Sequence, residues 1–534
     1  MSKRGLRDSL VRGLIASLHS TLTEVGRSSL GKIALALVLF FIVVSIYALI
    51  ALPRDIADRW NNIVSTPWIY YPKGAPPTWI KYFGYDEVDS MIAPLQSPER
   101  YIVVTEAHIQ SNLPEYVKAI GVKGLKPVGY VEKYIVEYEH RSSKAPNDII
   151  LAFEPRPMSD LQGKTLVNII FLIERPDGRV IEVLEEPPIP LTRLTPESPL
   201  KASDNKYCRV FLSDYEREFN ITGVPAEDLC RLSIKAFFGS PKVVEGSLHF
   251  DTLKGRYKFI LIVAYSIPGL RPDDVRAEIV RGNIGFKGMN LIVVGTVFGL
   301  LGTDLYGRDL TLGILFGFPV AIAIGFMAAV ISVLIGLVVG VISGYYGGRV
   351  DEVIQRFIDL LNSIPILPIL ILIGYIVQDP KSPVFVSSGW GRLLLIITLI
   401  AILGWGGLAI VVRSMALSIK SEQYVEAAKA IGASSTRIIF RHIVPQIVPY
   451  AVAVLVLSVP GAVLTEAALN IIGIRHGLPT WGLILSDAFS ARGSAYWMWW
   501  WILPPGILLA LLSFTFVALG FTLETMVEPR LRRR

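Results

Sequence analysis

The sequence predicts an α-helical polytopic membrane protein with six transmembrane helices and a large mainly-β domain inserted outside the membrane between the first two. Three observations predict it. Charged residues make up 18% of the 534-residue chain and hydrophobic ones 52%, against about 25% charged in soluble domains. The shortage of charge is concentrated in long uncharged runs, and each end of the chain carries a basic cluster. Between the first two runs lies a long stretch patterned like a soluble sheet protein.

In chain order, residues 1–32 carry Lys3, Arg4, Arg7, Arg12, Arg27 and Lys32. Positive charge marks the cytoplasmic side. Leu6, Leu10, Leu14 and Leu18 recur at helical spacing, which suits an amphipathic helix lying on the membrane surface or packed on protein. Residues 33–52 are uncharged and, at about 1.5 Å per residue, reach the ~30 Å of a bilayer core. The run is too long for a signal-peptide core and lacks a small-residue cleavage site, so it reads as a retained first span.

Residues 53–301 then fall outside, with a β-rich domain at about 85–282. Runs such as YIVVTE, EKYIVEYEH, DIILAFEP and KFILIVAYSI are rich in β-branched and aromatic residues and bounded by turn formers, which suggests a β-sandwich. LVNIIFLIERPDGRVIEVLEEP reads as a hairpin turning at Pro176, Asp177 and Gly178. The two cysteines, Cys208 and Cys230, lie in this domain. An external compartment permits a disulfide between them, closing a loop of about 22 residues for ~3 kcal/mol; two buried thiols are the alternative. Asn220 opens a glycosylation sequon on the same face.

Residues 302–529 read as a five-helix core, with further spans at about 318–343, 354–377, 393–412, 443–465 and 497–523. Pro365 and Pro368 are expected to bend the second of these. Six spans place both termini inside, in agreement with the basic tail at 530–534. Residues 414–445 then become a cytoplasmic loop holding a polar helix, a Gly-Ala-Ser-Ser break and a second helix, after which Pro445 starts the next span.

Enzymatic chemistry is absent from the pattern. Six scattered histidines form no metal-binding pair, and neither a Gly-x-Ser-x-Gly elbow nor a Cys-x-x-Cys occurs. Gly26 to Lys32 has the first seven positions of a phosphate loop, but Ile33 replaces the hydroxyl that would reach magnesium, and no strand precedes it. No catalytic residue, metal ligand or bound cofactor is assigned, and the net charge of +7 needs no nucleic acid because much of it sits at the termini. An ion-driven carrier would usually place ionisable groups mid-membrane; the spans are bare apart from Glu466, near the outer end of the fifth.

Glu426, Ala427, Ala428, Gly432 and the His442 to Pro445 segment resemble the signature of ABC importer permeases. In that family this signature is a cytoplasmic helix-turn-helix docked on an ATPase. The resemblance assigns ATPase docking to Tyr424, Glu426, Ala427, Ala428, Gly432, Ala433, Arg437, Arg441 and Pro445. Gly302, Thr303, Asp304, Gly307, Arg308 and Asp309 are similar to the motif before the second span in the second, C-type permease of dipeptide and oligopeptide (peptide/opine/nickel) importers. Gly344 to Glu352, Leu464 to Leu469 and Thr480 to Gly482 resemble that subfamily too. The resemblance implies the type I ABC importer permease fold in the cell membrane. It also implies a second homologous permease, two ATPases holding ATP and magnesium, and an extracellular solute-binding protein. The large external domain departs from typical relatives, which have a short loop there. Nickel chelates or oligosaccharides are alternative solutes; a solitary secondary carrier, or a membrane anchor for the β-domain, is the alternative from another class.

Overall fold

The computed structural model describes residues 25–63, 67–96, 98–103, 129–157, 159–207, 215, 219, 232–244, 247–491 and 497–527. The expected surface helix around Leu6 to Leu18, Cys208, Cys230, Asn220 and the 530–534 tail lie outside the described residues. The chain forms two compact units, Met1–Asn61 with Leu310–Arg534, and Asn62–Asp309.

The first unit is helical. Its helices are α1 (Ser29–Ala51), α2 (Ile56–Asn61), α3 (Leu310–Tyr346), α4 (Gly348–Ser363), α5 (Ile366–Gln378), α6 (Gly389–Gly404), α7 (Gly406–Lys420), α8 (Gln423–Ala430), α9 (Ser435–Ile438), α10 (Val444–Ile471), α11 (Trp481–Ser490) and α12 (Trp499–Val527). Among the described residues, five stretches are long and apolar enough to cross a membrane: Ser29–Ala51, Leu310–Tyr346, Gly389–Lys420, Ser435–Ile471 and Trp499–Thr525. The phosphate-loop look-alike is spent on starting α1, where Ser28 Oγ accepts the Gly31 N–H at 2.9 Å as the helix N-cap.

The third expected span is not one bent helix. α4 and the following helix meet at 75°, so a sixth crossing exists only as a broken pair. Pro365 explains the break. Its ring disfavours a helical conformation in the residue before it, and Ile364 sits extended at ψ 124°.

The helices approach closely where side chains vanish. Gly336, Gly340 and Gly344 share one face of α3 at a spacing of four. A Cβ on Gly340 would stand 2.6 Å from the Ala409 carbonyl oxygen, and one on Gly344 2.6 Å from that of Arg413. This small-residue seam brings the α3 and α7 backbones together, as helices in lipid require when hydrophobic burial cannot drive their packing. Below it, Arg413 pairs with Asp351 of α4, which also accepts from Ser343 Oγ at 2.5 Å.

The second unit carries the strands, numbered β1–β11: Met91–Pro94, Glu99–Val103, Gly129–His140, Asp148–Pro155, Leu166–Glu174, Val180–Pro190, Leu200–Lys201, Gly239–Val244, Ser247–Thr252, Gly255–Ser266 and Phe286–Val294. One sheet has the order β2-β3-β10-β5-β6, a second β1-β11-β4-β7, and β8-β9 pair separately. All the pairings are antiparallel. β5 and β6 form the hairpin read from sequence, running from Leu166↔Pro190 to Glu174↔Val180, with Gly178 at φ 81° in its turn. Alternate residues Ile149, Leu151 and Phe153 of β4 share one core with Ile169, Phe171 and Ile173 of β5 and with Phe259, Leu261 and Val263 of β10. The period of two that marks a strand is what delivers these side chains to one face.

Candidate functional site

The polar interruption at residues 424–445 folds as two helical pieces around a tight turn. α8 ends in a full Schellman arrangement: the Ala433 N–H donates to the Ala428 carbonyl at 3.0 Å, and the Gly432 N–H to that of Lys429 at 2.9 Å. Such a cap needs a left-handed residue at the turn, and Gly432 supplies it at φ 84°. Nothing lies within 4 Å of where its Cβ would be, so conformation rather than space demands glycine. Ser434 caps α9 by accepting from the Arg437 N–H.

The second piece does not stop before the next span. α9 passes through a wide π-turn at Ile439–Ile443 into α10, and the run Ser435–Ile471 is one spanning helix. The Val444 N–H reaches back to the Ile439 carbonyl, five residues away. Pro445, next in line, has no N–H to give, and the wide turn absorbs that missing bond. Pro445 therefore opens the regular α-helix without breaking the rod.

Burial divides the segment into base and edge. Val425, Ile438 and Ile443 are buried together with Val341 and Tyr345 of α3 and Val412 and Ala416 of α7. Lys420 and Lys429 sit 5.7 and 6.0 Å from the Tyr345 ring centre, within cation–π range. Tyr424 accepts a hydrogen bond from Gln446 and packs on the His442 ring. Of the residues expected to dock an ATPase, Tyr424, Glu426, Ala427, Gly432, Arg437, Arg441 and Pro445 are exposed and Ala433 half-buried, whereas Ala428 faces inward and is buried. Helical geometry is the reason: Ala428 lies three residues after Val425, on the face that meets the bundle. Two residues not singled out in the sequence complete the edge. Ile431 is 87% and Phe440 69% exposed, and an apolar side chain beside a helix-stopping glycine was the available signal.

Residues 302–309 form a buried clamp within the strand-bearing unit. Thr303 Oγ1 donates to the Pro72 carbonyl at 2.6 Å and accepts the Ala75 N–H at 2.9 Å. Asp304 accepts the N–H groups of Tyr306 and Arg308, each at 2.9 Å, and pairs with the Arg308 guanidinium. Gly307, at φ 83°, leaves room where a Cβ would stand 2.7 Å from the Trp68 carbonyl oxygen. Asp309 ends the turn by bridging back to Thr303.

Two further stretches noted separately in the sequence meet in space. Glu466, near the end of α10, is 1% exposed. Its Oε1 accepts from Asn470 Nδ2 at 2.6 Å and from Thr480 Oγ1 at 2.7 Å, and lies 2.7 Å from His476 Nε2. A Cβ on Gly482 would stand 2.5 Å from the Ala467 Cα. Among the described residues no group of His, Cys, Asp and Glu is arranged to hold a metal ion.

A family model described as binding-protein-dependent transport system inner membrane component matches residues 336–533. The oligopeptide transport system permease protein OppC of Bacillus subtilis is 35% identical over 234 residues, which cover 43% of this chain and 72% of that one. The dipeptide transport system permease protein DppC of the same organism is 32% identical over 234 residues, covering 43% and 69%. Among solved structures, a chain of the MetNI methionine ABC transporter in inward-facing conformations aligns at 19% identity. It covers 40% of this chain and 99% of its own with a TM-score of 0.31, too low to bear on the fold.

Proposed function

The chain belongs to the binding-protein-dependent transport permeases of the dipeptide and oligopeptide type, and from that premise we propose that residues 424–445 are the lever through which ATPase subunits drive it. A permease of this family is a non-enzymatic membrane component of an ABC importer that works with ATPases and another permease. One observation carries the lever reading: an exposed edge of Tyr424, Glu426, Ala427, Ile431, Phe440 and Arg441 stands on a base buried in the helical unit. Exposed apolar side chains ringed by charge fit a protein partner's groove. ATP and magnesium would sit in two ATPase partners. Their closing would push the edge and, through the continuous Ser435–Ile471 helix, shift the spans between inward-open and outward-open states.

In this reading both termini and the lever are cytoplasmic. The unit Asn62–Asp309 is an external, inserted, mainly-β domain that helps seat a solute-binding protein or shields and stabilises the outer face. The solutes are short peptides, as the relatives' names state for those proteins. The test is to tag the full chain, extract it gently from its own membrane and identify what accompanies it. A second permease and two ATPases are the expected companions; a folded, monodisperse chain recovered alone in several detergents would sink the reading.

A further inference from the structure

The Glu466 cluster has no part in the lever, yet it gathers several buried polar side chains in the helical unit. Glu466, Asn470, His476 and Thr480 are each at most 2% exposed. The hydrogen bonds fix the histidine tautomer. The Leu478 N–H donates to His476 Nδ1 at 3.0 Å, so the ring proton sits on Nε2, which donates to Glu466. Thr480 donates to the same carboxylate while its oxygen accepts the Leu483 N–H as the N-cap of α11. Ser486 of α11 donates to the Asn470 carbonyl at 2.6 Å, an oxygen at the end of α10 that also accepts the Gly473 N–H at 3.0 Å. Gly473, at φ 102°, turns the chain between the two helices: the Ile474 N–H donates to the Leu469 carbonyl at 2.9 Å. Trp481 then anchors α11 to α3 by donating from Nε1 to the Ile314 carbonyl at 2.9 Å.

We propose that Glu466, His476 and Thr480 form a positioning latch that makes α11 move with the outer end of α10, so that displacement at the inner end of the Ser435–Ile471 helix is delivered to α11. Its part in transport rests on the lever reading above. The geometry also specifies what the carboxylate contributes. All three donors converge on Oε1, so a glutamine carbonyl oxygen in its place keeps every acceptor contact. Leucine instead leaves the buried His476 and Thr480 donors without that acceptor, and Asn470 Nδ2 with only the residue-466 backbone carbonyl, which it meets at 3.0 Å.

The experiment uses the full chain in its assembled complex and compares E466Q, E466L and Gly482→Ala, the last of which wedges the two helices apart without removing a donor. Amide hydrogen exchange is read over residues 481–490, together with the number of ATP molecules hydrolysed per solute taken up. E466L and G482A are expected to speed exchange there by about tenfold or more and to raise the ATP-to-solute ratio by a similar factor, while E466Q stays close to wild type on both. Unchanged exchange in E466L and G482A would overturn the latch. So would an E466Q as defective as E466L, because the charge or a carried proton would then be essential. Faster exchange in a chain whose wild type shows no ATP-driven uptake would overturn the coupling role through the lever reading and leave the junction as described.

Discussion

At the scale of single residues, Gly432 shows how one backbone conformation sets up a site. Its φ of 84° is costly for side chains, by roughly 1–2 kcal/mol, and asparagine tolerates it best. Since nothing crowds the position, G432N should retain ATPase partners on co-purification, while G432V should lose most of them with the fold intact. Ile431 and Phe440 are solvent-exposed in the chain alone, so I431D and F440D should leave the melting temperature within a degree or two yet abolish ATPase association, each costing about 2 kcal/mol or more as buried interface anchors do. Unchanged association would place the docking edge elsewhere. In the other unit, His140 is 1% exposed beside Phe238 and Tyr257, and its Nε2 finds no partner. Burial pushes its pKa below the usual value, against the weaker pull of Asp86. The unfolded chain therefore takes up the proton first. Stability is complete above about pH 6.5 and falls as pH drops towards the folded-state value. Melting curves at pH 7.5 and 5.5 should show that loss, and H140F, which suits the aromatic surroundings, should flatten it.

At the scale of elements, the decisive features are breaks and contacts between helices. The three-glycine seam of α3 predicts that Gly340→Leu, whose Cβ would stand 2.7 Å from the Val412 Cβ, forces α7 away. Overpacking of this kind costs about 1–3 kcal/mol, visible as a lowered melting temperature in detergent; wild-type stability would mean that the seam is looser than the structure describes. Periodicity and composition disclosed the α3 span, and the spacing of four was in plain view, but its partner was not, because nothing local says which backbone fills a smooth face. The π-turn is a similar case. Pro445 suggested a helix start, and the structure keeps a continuous rod by widening one turn around the missing N–H.

At the scale of the whole molecule, the sidedness of the two units can be tested on intact cells. Lys254 and Lys429 are both exposed, in the strand-bearing unit and in α8 respectively. A membrane-impermeant amine reagent should modify Lys254 on intact cells and reach Lys429 only after permeabilisation, as peptide mapping by mass spectrometry would show. Modification of both residues from the same side would contradict the proposed topology.

Much of this protein follows from sequence because the governing physics is local or acts through the solvent. A bilayer selects long uncharged runs, strands announce themselves by alternation, and a turn such as Pro176 to Gly178 carries its own backbone chemistry. The polar break at residues 424–445 was legible for the same reason, since its charged residues interrupt the apolar runs on either side. Tertiary structure alone decided that Ala428 is buried while Ile431 and Phe440 are presented. It also decided that residues 302–309 clamp the segment around Pro72 and Ala75, and that Glu466 meets His476 and Thr480. Those outcomes depend on which surfaces meet after the chain has folded. The separation of ten residues between Glu466 and His476, of fourteen between Glu466 and Thr480, and of more than two hundred between Thr303 and Pro72, leaves no periodic trace in the sequence between them.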